Sequence, residues 1–190
     1  MTVLAALVFA ASLAGCTTGD APAGSTASAA ETKAPQSASG SFTAADLDFL
    51  YNGKAFKLGG AESALFGLIG EADSVDEAVS CLFDGFDKTY HYGFCDVFTF
   101  PAEDGSGNIV DEIYITGDAY LAKDGVKTGS SKSDVEKAYG MAYYMDGDTV
   151  MVYNAENDSS KNELLPKLYF VLDGDTVTGI GYCANLYHVA

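Results

Sequence analysis

Short runs of alternating apolar and polar residues, broken by Asp-Gly and Asn-Gly pairs, set the rhythm of this chain. Alternation with period two places successive side chains on opposite faces of a strand. Residues 47–51 and 55–58 therefore predict a hairpin around Asn52 and Gly53. Three strands follow at 86–92, 94–100 and 109–116, with Asp84-Gly85, Gly93 and the 104–108 loop as breaks. Another three are expected at 149–153, 167–172 and 177–182, bounded by Asp146-Gly147 and Asp173-Gly174. Helical spacing is confined to 61–69 and 131–139. The acidic stretch 71–78 reads as a further helical turn, and 154–165 as a polar loop.

The two helical stretches share a grammar. Shifted by 70 residues, Lys57 falls on Lys127, Gly59 on Gly129, Ser63 on Ser133, Leu65 on Val135 and Gly70 on Gly140. Ser130 or Ser131 is placed to cap the second helix, and Gly140 to end it. Helices this short do not persist alone and must lie across a sheet. The expected fold is α+β: two tandem units, 46–120 and 121–190, each a short helix packed on an antiparallel meander.

The turn at Gly129 and Ser130, the helix with Val135 on its inner side, and Tyr139-Gly140 at its end carry a resemblance. They are similar to the helix-on-sheet modules of the β-lactamase inhibitory proteins, which hold that module twice in tandem. They also resemble the small lipoproteins of outer-membrane barrel assembly. The stretches 80–92 and 98–101 look like lipoproteins of Gram-positive anaerobes. The resemblance implies a fold and a location; it assigns no contact residues.

The N-terminus points the same way. Residues 1–14 are apolar but too short to span a bilayer. They lead into Leu13, Ala14, Gly15 and Cys16, which resemble the lipobox of bacterial lipoproteins. That implies a signal peptide over 1–15, lipidation of Cys16, and residence on the extracytoplasmic face of the cell membrane. Residues 16–45, rich in Ala, Ser, Thr, Gly and Pro, bury too little to offset their ordering entropy and are expected to be a tether outside the core.

Composition narrows the partners. Asp plus Glu number 27 against 10 Lys plus Arg, a formal charge of −17. That field repels phosphate backbones and anionic lipid, so no nucleic-acid partner is expected. The membrane is met through the lipid, and the remaining partner is expected to be a protein or envelope component. Tyr and Phe total 12 and 11 with no Trp, which favours sheet.

Catalytic patterns are sparse. Lys127-Thr128-Gly129 lacks the upstream Ser-x-x-Lys and the Ser-Asp-Asn of penicillin-binding enzymes. His91 and His188 are the only histidines, short of a zinc set or a triad. The Asp-Gly turns lack calcium-loop spacing. Neither metal nor cofactor is expected. Cys81, Cys95 and Cys183 leave disulfide pairing open. Aromatic alternation along 86–100 selects Tyr90, Tyr92, Phe98 and Phe100 as candidate binding residues, with core the competing role. The expectation is a non-enzymatic binding module, with an inhibitor of an extracellular enzyme or a carboxylate-based hydrolase as alternatives.

Overall fold

A computed structural model describes residues 40–186 of the chain. The expected signal peptide, Cys16 and His188 lie outside the described residues. The architecture is mixed α+β, dominated by one antiparallel sheet of eight strands and completed by two helices and a small hairpin.

The hairpin is β1 (Phe49–Tyr51) and β2 (Lys54–Phe56), turning at Asn52 and Gly53, both with positive φ. Helix α1 (Glu62–Ile69) follows, then β3 (Ser74–Val79), β4 (Phe86–His91), β5 (Cys95–Pro101) and β6 (Asn108–Ile115). Helix α2 (Lys132–Tyr139) precedes β7 (Tyr144–Asp146), β8 (Val150–Asn154), β9 (Lys167–Asp173) and β10 (Thr176–Cys183). The order across the sheet is β3-β4-β5-β6-β10-β9-β8-β7. Each run of four strands thus starts at an outer edge and ends in the middle, where β6 and β10 pair.

Local geometry agrees with the grammar of the chain. Ser131 accepts the Asp134 amide at 3.2 Å while Asp134 accepts the Ser131 amide at 3.1 Å, a reciprocal cap for α2. The Gly59 amide donates to the Val110 carbonyl at 2.7 Å, and the Gly129 amide to the Val177 carbonyl at 2.7 Å. Each bond ties the turn before a helix to a central strand. Gly70 and Gly140 end the two helices at φ 91° and 86°.

Both helices and the hairpin pack on one face of the sheet. Leu65 of α1, Val135 and Tyr139 of α2 and Phe49 of β1 join Val97, Ile113, Ile115, Leu168, Phe170 and Ile180 in a single core. A row of paired residues crosses this face: Val75, Tyr90, Val97, Ile113, Tyr182, Leu168 and Tyr153.

Three expectations change. Residues 74–78 of the acidic connector, with Val79, form strand β3, not a helical turn; all six are exposed, so no apolar alternation betrays an edge strand that buries nothing. The second meander also gains a strand, β7, only three residues long. Third, the core begins before residue 46. Phe42 is 2% exposed and stacks on Tyr153 at 5.3 Å, so the end of the expected tether is part of the folded body.

Candidate functional site

Strand alternation assigns every residue opposite the core to a second face, which carries no helix among the described residues. One row across it runs Asp76, Thr89, Phe98, Glu112, Cys183 and Lys167. The next runs Ser74, His91, Asp96, Tyr114, Gly181, Tyr169, Val152 and Tyr144.

Glycines shape the middle of this face. A Cβ at Gly181 would overlap the ring of Tyr169, and one at Gly179 would overlap Tyr114. The two tyrosines therefore lie flat over β10 and stack on each other with centroids 6.2 Å apart and planes 17° apart. Strand glycine here permits close approach of a ring to the backbone. The Tyr169 hydroxyl donates to Glu112 Oε1. Burial raises the Glu112 carboxyl above its ordinary value, against the opposing pull of that hydrogen bond, and burial likewise raises the Tyr169 hydroxyl. The outcome is a broad aromatic floor with carboxylates around it.

Near it, His91 stands between two carboxylates. Its Nδ1 lies 2.7 Å from Asp96 Oδ1 and its Nε2 3.2 Å from Asp76 Oδ2. Hydrogen bonding to Asp96, then to Asp76, raises its pKa above 6.5. A raised folded pKa gives stabilisation that is complete below the unfolded value and lost as pH rises through the folded one. An NMR titration should place the His91 midpoint above 6.5, and Asp96→Asn should lower it. A midpoint unmoved by Asp96→Asn would show the contact to be ineffective in solution.

The structure divides the four aromatics singled out from sequence. Tyr90 and Tyr92 lie on the helix side. The Tyr90 hydroxyl donates to Glu62 Oε2 at 2.9 Å and its ring meets Phe66 edge-on at 4.7 Å. Tyr92 donates to the Gly70 carbonyl at 3.2 Å, and burial pushes its hydroxyl up to about 12. Phe98 and Phe100 face the other way. Phe98 is 38% exposed beside a groove of 300 Å³ that also touches Asp76, Thr89 and Asp87. Phe100 is buried under Phe83, with rings stacked at 5.6 Å. Of the four, only Phe98 is exposed on the open face.

Sequence reasoning passed over Tyr114, Tyr169 and Glu112. A signal existed: Tyr114 sits between Ile113 and Ile115, and Tyr169 between Leu168 and Phe170, so each must face away from the core. Gly179 and Gly181 within a strand mark the place of close approach.

Other chemistry is muted. Cys81, Cys95 and Cys183 are free thiols; burial pushes Cys95 and Cys183 up to about 12, far from the reactive thiolate. Among the described residues no group of three or more His, Cys, Asp or Glu is arranged to hold a metal ion. A cavity of 510 Å³ lies between the hairpin and residues 120–124. Its polar groups bond one another: Lys123 Nζ meets Asp46 Oδ2 at 3.0 Å, and the hydroxyls of Tyr120 and Tyr182 are 3.0 Å apart. Among the described residues no helix is long and apolar enough to cross a membrane.

No known protein family, no curated protein and no solved structure matches this chain.

Proposed function

We propose that this chain is a lipid-anchored, extracytoplasmic binding module without enzymatic activity. Its helix-free sheet face docks a protein that presents basic side chains. The observation that carries this reading is the floor of Tyr114 and Tyr169 over Gly179 and Gly181. Ordering those rings leaves their amphipathic faces outward, the chemistry favoured where proteins meet. Asp76, Asp96 and Glu112 around the floor, with a net charge of −17, favour a partner of opposite sign. Leu13, Ala14, Gly15 and Cys16 support anchoring through a lipid on Cys16.

The folded body is best read as two tandem units. Support comes from the 70-residue offset between Gly59 and Gly129, which make matching bonds into β6 and β10. The inhibitor alternative keeps the same docking face and differs only in what is docked. The carboxylate-based hydrolase alternative gains little, because Glu112, whose carboxyl is raised by burial, is already held by the Tyr169 hydroxyl.

A crosslinking capture in the native envelope tests this, comparing the wild type with the Tyr114→Ser/Tyr169→Ser double variant. A protein held by the wild type, released by salt and lost in the variant is the expected result. Both forms must melt alike for that comparison. An identical set of captured proteins would refute the open face as the docking surface.

A further inference from the structure

Among the described residues strand β3 pairs only with β4 and forms one open edge of the sheet. The Ser80 amide donates to the Gly85 carbonyl at 3.0 Å, which makes that pair a hydrogen-bonded one. Carried along the register, the amides and carbonyls of Val75, Glu77 and Val79 point outward, away from β4. Edges of this kind are templates for another strand. The side chains are unusual for one left bare. Val75 is 44% and Val79 74% exposed. Behind Val75 a groove of 390 Å³ opens between α1 and the edge, floored by Phe66 and Tyr90.

We infer that β3 accepts an extended basic peptide segment as an additional antiparallel strand of this sheet. Its residue opposite Val75 is apolar and enters the groove against Phe66. Its residues opposite Asp76 and Glu77 are Lys or Arg. Backbone bonds supply the affinity and alternate side chains the selectivity, the logic of strand addition. Charge decides against a second copy of this chain. Antiparallel self-pairing centred on Glu77 would set that carboxylate against its own copy. This inference goes beyond the open-face reading and uses none of its rings, so either can fail alone.

The probe is a fluorescent peptide, Thr-Val-Lys-Lys-Val-Thr, titrated by anisotropy against the purified full chain. Thr-Val-Glu-Glu-Val-Thr is its charge-reversed partner and is expected not to bind. Glu77→Pro removes one outward amide and no bond to β4, a position where an edge strand tolerates proline. It should weaken binding roughly tenfold or more. Glu77→Gln keeps the amide and should weaken it only about two- to fivefold. Val75→Lys leaves the backbone intact and blocks the groove with a cation, so it too should abolish binding whether or not the proline variant folds. Asp148→Asn, on an exposed turn, should change nothing. Equal binding by Val75→Lys and wild type would reduce the effect to bulk charge and overturn the proposal. So would no binding by the wild type. A dimer seen by sedimentation that Glu77→Pro dissociates would overturn it in favour of a second copy.

Discussion

Phe42→Ala should lower the unfolding free energy by about 3 kcal/mol, the cost of truncating a buried phenylalanine in a core that cannot fully collapse. The ring is 2% exposed. It stacks on Tyr153 with planes 28° apart and lies 6.4 Å from Tyr139. Those two rings also pack on Phe170, so loss of Phe42 opens a void at the centre of an aromatic cluster. The backbone around it is pinned. The Gly40 amide donates to the Lys137 carbonyl, and Lys123 Nζ donates to the Ser41 carbonyl at 2.7 Å. A Cβ at Gly40 would overlap the Ala138 carbonyl, so only glycine passes the end of α2. A tether residue would behave differently, because exposed substitutions usually stay within about 0.5 kcal/mol. Urea denaturation decides the matter. A shift that small for Phe42→Ala would return this segment to the tether.

Leu65→Ala should cost about 3 kcal/mol by the same mechanism. Leu65 is fully buried and is the one buried residue of α1. A helix of eight residues has no independent stability and depends on what it buries. Removing its anchor therefore loosens the whole helix, and with it the Glu62 contact to Tyr90 and the wall of the groove beside β3. Gly67→Ala is the paired control. Its added methyl meets no heavy atom within 4 Å and should stabilise by about 0.5–1 kcal/mol through helix propensity. If Leu65→Ala costs under about 1 kcal/mol, the helix is held by something other than its buried face.

Much of the local structure was legible in the residues. Asn52 and Gly53, Gly147 and Gly174 mark turns because few other residues adopt their positive φ. Gly129, Ser131 and Gly140 bound α2 by satisfying end groups, a matter of nearest neighbours. Strands with one apolar face announced themselves by alternation, as β6 and β9 do. β3 stayed hidden because its six residues bury nothing and its Asp and Glu mimic a helical turn.

The candidate site was less legible. Tyr90 and Phe98 share a strand pattern, but which face each occupies depends on where the helices land. Glu62 and Phe66 reach back to Tyr90 from another element, and no local signal foretells that.

Sequence alone determined the turns, the caps, the helix ends and most of the strands, because each depends on a few adjacent residues. It also carried the charge and the likeness of Cys16 to a lipidation site. Only the tertiary structure decided that β6 and β10 join eight strands into one sheet, that Phe42 belongs to the core, and that Tyr114 and Tyr169 rather than Tyr90 and Tyr92 face outward. Those outcomes depend on pairing between residues far apart in the chain and on which side of the sheet two short helices bury.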